Sequence, residues 1–166
     1  ALLVQGGLPL PHAVARSLRR AWEQDRSVTA EERAFEQYQS CVGDSWEGPA
    51  AIALSDGRHV GLVVDRSGFR PARVLESHGG LIVAASETGV VDLPERDIAS
   101  RRRVGAGEML FVDLEKQHVL HDRAVRRELT AAHPYRDWVA QTIVRLPSAR
   151  RIRMRAASWT TPWPMR

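Results

Sequence analysis

Residues 50–73 read AAIALSDGRHVGLVVDRSGFRPAR, two apolar runs separated by a turn signal and followed by a strongly charged stretch. Short runs of aliphatic and β-branched residues, bounded by Gly, Pro and Asp, are typical of β-strands. A pair of turn residues separates each run from the next, which predicts an antiparallel meander. The first and last runs lack strict alternation, which predicts strands covered on both faces. The predicted strands are 50–56, 59–65, 72–77 and 81–86.

Helical patterns flank these strands. Residues 11–24 place apolar side chains on one stripe, with Pro11 in the first turn. Thr29, followed three residues later by Glu32, forms a capping box and predicts a helix that runs to about Ser40.

The chain beyond the meander begins with 89–105, which is predicted to be an irregular connector. A hairpin of 108–114 and 117–122 follows, and then helices at 123–132 and 134–144. The order of helices, strands and helices predicts an α+β fold, an antiparallel sheet covered by helices.

Length and charge limit the possible functions. The chain has 166 residues, enough for one domain with a sizeable core. Five of its 24 basic residues are arginines in 149–166, which has no acid, and the other 19 face 20 acidic residues. The basic charge therefore belongs to the end of the chain rather than to the body, which does not favour a nucleic-acid-binding domain. Residues 147–166 are predicted to be a divergent basic Arg/Trp tail.

That tail has two further interpretations. The stretch SWTTPWPMR beside RRIRMR could stack on single-stranded nucleic acid or lie on an anionic membrane. It lacks extended helical amphipathicity, and basic termini are usually solvated. No apolar stretch approaches the roughly 20 residues of a membrane-spanning helix. Neither nucleic acid nor membrane is therefore a predicted partner.

Three candidate chemistries are weak. His118, His121 and Asp122 are the nearest approach to a metal cluster, but residues 118 and 121 of a strand point to opposite faces, so no metal site is predicted. Cys41, the single cysteine, has no recognisable base partner and excludes an internal disulfide, which suggests a reducing, cytoplasmic compartment. Gly105-Ala106-Gly107 leads into a predicted strand rather than a helix, unlike a phosphate-binding loop.

The charged stretch DRSGFRPAR at 65–73 remains as a candidate anion site or a charged turn. Gly68 permits a positive φ, and Pro71 makes the preceding residue extended. Asp65 could pair with Arg66 or Arg70, or accept hydrogen bonds from turn N–H groups. The residue types alone do not decide among these.

Longer motifs carry a family resemblance. SWEGPAAIALSDGRHVGLVVDRSGFRPAR at 45–73, LIVAASETGVVDLPE at 81–95 and VGAGEMLFVDLE at 104–115 resemble the glutaminase domain of glutamate synthases, a class II glutamine amidotransferase with an N-terminal nucleophile. The likeness covers roughly residues 2–140. A shorter form of the pattern occurs in amidophosphoribosyltransferases, which are the alternative family. The residues that match the family motif are Trp46, Gly48, Pro49, Asp65, Arg66, Gly68, Arg70, Pro71, Ser86 and Glu87.

The resemblance implies an αββα Ntn-hydrolase sandwich and a reaction. An N-terminal cysteine thiolate attacks the amide of glutamine with its own α-amino group as base, and an Asn-Gly pair forms the oxyanion hole. An arginine and an aspartate hold the substrate. The ammonia then passes to 2-oxoglutarate to make glutamate, with FMN, a [3Fe-4S] cluster and NADPH or ferredoxin in the parent enzyme. The implied partners are the rest of the large subunit and a small NADPH-oxidising subunit.

The sequence departs from the family at the motifs that supply the nucleophile, the substrate contacts and the oxyanion hole. It begins with Ala1 rather than cysteine, Cys41 matches an internal helix-end position, and the family's substrate and oxyanion motifs precede the part that 1–146 resembles. We expect 1–146 to be the C-terminal part of the amidotransferase domain, with no catalytic residue of its own and inactive alone. DRSGFRPAR is then a scaffold turn in which Asp65 and Arg70 tie neighbouring loops. The alternative is a non-catalytic interaction module that binds a partner through the tail.

Overall fold

The computed structural model of the protein describes residues 2–144. Within that range the chain forms five α-helices and seven β-strands. The helices are α1 (Leu2–Gln5), α2 (Leu10–Ser17), α3 (Ala30–Val42), α4 (Asp122–Ala131) and α5 (Tyr135–Thr142). The strands are β1 (Ala51–Ser55), β2 (His59–Val64), β3 (Arg73–Ser77), β4 (Ile82–Ala85), β5 (Ile98–Arg103), β6 (Met109–Asp113) and β7 (His118–His121). The predicted tail at 147–166 lies outside the described residues.

The strands form two antiparallel sheets. The first sheet has the order β1-β2-β6-β7, and the second has the order β4-β3-β5. All four strands of the predicted meander exist near their predicted positions, and the hairpin of β6 and β7 is confirmed. The meander itself is wrong, because β2 pairs with β6 and β3 pairs with β5, so the chain changes sheet between β2 and β3. The charged stretch that begins at Asp65 makes this crossing.

The strands at the sheet edges are less buried than expected. Along β1, exposed residues alternate with half-buried ones, and no residue of β4 is fully buried. The prediction that both faces of these strands are covered is therefore wrong. Each lies at the edge of its sheet within the described residues, where the exposed positions carry small side chains, alanine or serine.

β5 was not predicted. It follows a single 3-10 turn at Glu95–Asp97 and occupies part of the expected connector. Its sequence, IASRRR, offers few apolar side chains, yet half-buried and exposed residues alternate along it. Pairing with β3 supplies the hydrogen bonds that its composition does not predict.

The helices, the first sheet and the second sheet form three layers, with a hydrophobic core between each neighbouring pair. The helices pack on one face of the first sheet, where Val63, Met109 and Phe111 point towards Phe35 and Val125. The alternate residues of the same strands face the second sheet. Buried residues between the sheets are Leu62, Val64, Ala72, Val74, Val104 and Leu110. The α+β fold is confirmed, and the order of helices, sheet and sheet is consistent with a partial Ntn-hydrolase sandwich.

The helices follow their sequence signals with two exceptions, of which the first is α1, a helix that was not predicted. The Thr29 hydroxyl accepts a hydrogen bond from the Glu32 N–H at 3.2 Å, and the Glu32 carboxylate accepts one from the Thr29 N–H at 3.1 Å, which confirms the capping box. α2 ends at Ser17, well before the predicted residue 24. The chain turns there instead, and the Arg33 guanidinium donates to the carbonyls of Trp22, Glu23 and Asp25. α4 and α5 confirm the last two predicted helices.

Candidate functional site

Asp65 lies at a junction of three loops at the end of β2. Its carboxylate accepts hydrogen bonds from the Ala50 N–H at 3.0 Å and the Ser67 N–H at 2.7 Å. Its own N–H donates to the Ala50 carbonyl at 2.9 Å, and its carbonyl accepts from Gly68 at 3.1 Å and Gly107 at 2.9 Å. One residue thus fixes the loop before β1, the linker between the sheets and the loop before β6. We call these three loops the Asp65 junction (47–50, 65–68 and 105–107).

Two glycines allow these loops to approach each other. Gly68 and Gly107 have φ of +65° and +69°, a conformation that side chains with a Cβ rarely adopt. A Cβ on Gly68 would lie 2.8 Å from the Ala106 Cβ, and one on Gly107 would lie 2.9 Å from the Arg20 Cβ. Both positions therefore require glycine for the backbone conformation and for space.

Arg126 connects the junction to the helices. Its Nη2 donates to the Gly107 carbonyl at 2.7 Å, and its Nη1 lies 3.1 Å from the Glu36 Oε1 of α3. Its Nε also binds the Asp122 carboxylate at 2.9 Å. Arg126 and Glu36 are buried, with 3% and 1% exposure, so this guanidinium serves two carboxylates and a carbonyl away from solvent.

Two carboxyl groups of this network have opposite pKa shifts. Burial favours the neutral form of Asp65, but hydrogen bonds from the Ala50 and Ser67 N–H groups outweigh it and lower the pKa. Burial raises the pKa of Glu36 to about 7, against the attraction of Arg126. The Arg126 guanidinium already binds Asp122, so it cannot fully compensate the negative charge of an ionised Glu36 in this buried position. Glu36 therefore retains its proton to a higher pH than an ordinary glutamate.

The structure brings some of the predicted motif residues together. Gly48, Pro49, Asp65, Arg66 and Gly68 lie in the junction loops. Arg66 is exposed and its Nη2 lies 2.8 Å from the Glu47 Oε2. Asp65 therefore binds backbone N–H groups, and the possible pairs of Asp65 with Arg66 or Arg70 are not present.

The other motif residues are placed differently. The Trp46 side chain is 68% exposed. The backbone N–H of Trp46 donates a hydrogen bond to the Ser17 carbonyl at 2.7 Å. Arg70 is exposed and donates no hydrogen bond to another described residue, so the expected tie through Arg70 is not seen. Pro71 is exposed within the linker, and Ser86 and Glu87 follow the end of β4, apart from the junction.

The weak candidates do not form a site within residues 2–144. Cys41 is exposed near the end of α3, and its backbone nitrogen is part of a peptide bond. His118 and His121 are exposed in β7, and no group of three His, Cys, Asp or Glu side chains there could hold a metal ion. The loop at Gly105 is closed by a hydrogen bond from the Gly105 N–H to the Glu108 carboxylate at 2.8 Å.

Sequence reasoning missed Glu36 and Arg126, and it interpreted Gly107 only as part of a glycine-rich loop before a strand. A signal existed in the helices, where Glu36 follows the buried Phe35 and Arg126 follows the buried Val125. A charged residue beside the apolar stripe of a helix can be a buried partner. Arg126 and Glu36 lie 90 residues apart in the chain, so their pairing could not be predicted from neighbouring residues.

The described geometry contains no nucleophile, base and oxyanion donors in one place. Its ordered groups are a carboxylate that caps backbone N–H groups and a buried guanidinium that holds two helices and a turn. The profile of a family described as "Glutamine amidotransferases class-II" matches residues 1–138. The chain belongs to the class II glutamine amidotransferases.

Several glutamate synthases are similar to this amidotransferase chain. The "Glutamate synthase [NADPH] large chain" of Bacillus subtilis is 30% identical over 143 residues, which are 86% of this chain and 9% of that protein. The protein of the same description from Azospirillum brasilense is 34% identical over 141 residues, 85% of this chain and 9% of that one. "Ferredoxin-dependent glutamate synthase 2" of Synechocystis is 41% identical over 105 residues, 63% of this chain and 7% of that protein. The chain thus spans less than a tenth of the length of these relatives.

Within the described part of this amidotransferase chain, no helix combines the length and the apolar character needed to cross a membrane.

The first prediction separates the roles of Asp65 and Arg70, two of the charged residues of the predicted family motif. We expect Asp65→Ala to lower the free energy of unfolding by about 2–3 kcal/mol, because two backbone N–H groups lose their acceptor. Arg70→Ala should change it by less than about 0.5 kcal/mol, because the side chain is exposed. Urea denaturation of both variants measures the difference. Equal losses, or a larger loss for Arg70→Ala, would contradict the role assigned to Asp65.

The second prediction concerns pH. The folded-state pKa of Glu36, about 7, lies above the ordinary value of 4.5, so the folded chain binds more protons between these values. The contribution of Glu36 to stability is therefore complete below about pH 4.5 and is lost as the pH rises through about 7. Relative to Glu36→Gln, the unaltered chain should lose stability on the order of 3 kcal/mol over this range.

Urea unfolding at several pH values between 4.5 and 8 measures this difference. Glu31→Gln is the matched control, since Glu31 is an exposed residue of the same helix that pairs with Arg136. A pH dependence equal in Glu36→Gln and Glu31→Gln would show that Glu36 is ionised normally.

Proposed function

We propose that this chain forms the C-terminal, structural part of the glutamine amidotransferase domain of a glutamate synthase. The observation that carries the proposal is the family match over residues 1–138 combined with the position of the single cysteine of these residues, Cys41, inside α3. The parent enzyme would hydrolyse glutamine to glutamate and ammonia and deliver the ammonia to 2-oxoglutarate. On this proposal 1–146 belong to the domain and 147–166 to a divergent tail.

The chemistry of Cys41 supports a structural role. The family's nucleophile uses its own α-amino group as the base, which requires the cysteine to be the first residue of the mature chain. Cys41 lies within α3, so its nitrogen is an amide and cannot accept a proton. The other elements of the reaction, an oxyanion hole and a substrate clamp, would have to come from other parts of a longer polypeptide.

Exposed apolar side chains beside the Asp65 junction also support the proposal. Trp46 and Phe69 are 68% and 76% exposed. A contiguous apolar patch that is open to solvent commonly marks a surface that packs against further protein. The rest of a glutamate synthase large subunit is the partner that we propose for them.

The residues of this chain do not fit the cofactors of the parent enzyme. A [3Fe-4S] cluster is held by several cysteine thiolates, whereas this sequence contains one cysteine. The glycine loop at 105–107 precedes β6 rather than a helix, so it does not resemble a loop that binds the phosphate of FMN. We propose that FMN, the cluster and the electron donor, NADPH or ferredoxin, bind elsewhere in the parent enzyme.

The third prediction is that the purified 166-residue chain releases no ammonia from glutamine above the background rate. The reason is that Cys41, the single cysteine of these 166 residues, lies inside α3 and has no free α-amino group to act as its base. A coupled assay for ammonia measures the rate, and Cys41→Ser serves as the matched control. Turnover above background that is lost in Cys41→Ser would contradict the proposal, since it would make Cys41 the nucleophile.

A further inference from the structure

The outer face of the second sheet carries three arginines. In the β3–β5 pair, Arg73 lies directly opposite Arg103, and Leu75 lies opposite Arg101. In the β3–β4 pair, Arg73 lies opposite Ala85, and Leu75 lies opposite Val83. Residues directly opposite each other in a sheet share a face. The alternate residue, Val74, is buried between the sheets, so this arginine-bearing face is the one that points away from the core.

Two of these arginines have no compensating charge among the described residues. Like charges directly opposite each other across two strands destabilise a sheet. Arg101 is neutralised by Glu95, whose two oxygens lie 2.7 Å from its two terminal nitrogens. No carboxylate of residues 2–144 lies within 4.0 Å of the guanidinium of Arg73 or Arg103. The pair therefore presents two guanidinium groups without an acidic partner in the described structure.

A cavity lies against this pair. It has a volume of about 200 Å³ and is bounded by the strands of the second sheet and by the loop after β4. The floor includes Leu75, Val83 and Ala85, and Val90 and Val91 of the loop form an apolar wall. A concave apolar site with convergent charged groups is the usual form of a small-molecule site. Its size suits a molecule of a few carbon atoms.

We propose that this cavity binds a small carboxylate with a short apolar body. The carboxylate would lie between Arg73 and Arg103, where guanidinium groups can donate paired hydrogen bonds. The hydrocarbon part would cover Leu75, Val83 and the loop valines. Glu87 also lines the cavity, and its negative charge weakens the binding of an anion. This site is separate from the Asp65 junction and does not rest on the proposed amidotransferase role.

Butyrate is the probe, with acetate and inorganic phosphate for comparison. Each is titrated into the 166-residue chain at constant ionic strength, and binding is followed by calorimetry and by the shift in melting temperature. We expect saturable binding in the order butyrate, acetate, phosphate, because only butyrate can cover the apolar floor. Equal binding of butyrate and phosphate would overturn the proposal, since it would show attraction to charge alone. Absence of saturable butyrate binding to a chain that melts cooperatively would also overturn it.

Variants test the residues. Arg103→Gln and, independently, Arg73→Gln should each weaken butyrate binding about tenfold, because a charge-assisted hydrogen bond is lost. Both side chains are exposed, and removal of one like charge should raise the melting temperature of the free chain slightly. Glu87→Gln should strengthen binding. The control is Arg96→Gln, since Arg96 is 85% exposed, pairs with Asp97 and does not line the cavity.

Each variant outcome bears on the site. Unchanged affinity in both Arg73→Gln and Arg103→Gln, or an equal loss in Arg96→Gln, would overturn the proposed clamp. Weaker butyrate binding in Glu87→Gln would contradict the placement of the carboxylate. The melting temperature without butyrate is measured for every variant, so a loss of folding is distinguished from a loss of binding.

Discussion

Gly107 is the point where the three layers of this protein are joined. Its N–H donates to the Asp65 carbonyl, and its own carbonyl accepts from the buried Arg126. Asp65 extends the network to the loop before β1, and Arg126 extends it to Glu36 in the helical layer. Because Gly107 has a positive φ and almost no space for a Cβ, this backbone position cannot be relaxed without separating the sheets from the helices.

Half of the predicted motif residues, among them Asp65 and Gly68, lie in this junction. The segments EGPA, DRSG and GAGE are far apart in the chain but meet around Asp65. Their glycines provide unusual backbone conformations, and their aspartate binds N–H groups that would otherwise be unsatisfied. Asp65 and the junction glycines Gly68 and Gly107 therefore let the backbone pass from the first sheet to the second. Within DRSGFRPAR, the charge of Asp65 serves the turn, since its carboxylate accepts hydrogen bonds from the backbone N–H groups of Ala50 and Ser67.

Local signals predicted the elements well and their pairing poorly. The capping box of Thr29 and the turn glycines act over a few residues, so they could be read directly from the sequence. The choice of β6 as the partner of β2 depends on contacts between residues nearly 50 positions apart, as in the register of Val63 with Met109. β5 was missed because its three arginines hide the alternation of half-buried Ile98 and Ser100. The site was predicted only as far as Asp65, because the importance of Arg126 depends on packing between helices and sheets.

Native-state hydrogen exchange tests most directly whether the junction joins the layers. The amide protons of Ala50, Ser67 and Gly107 lie in loops, where exchange through local opening is ordinarily fast. If the Asp65 junction holds the fold together, these protons exchange only through global unfolding, with the same free energy as the amides of β2 and β6. Exchange of the three loop amides at a much lower free energy than those strand amides would contradict the central role of the junction.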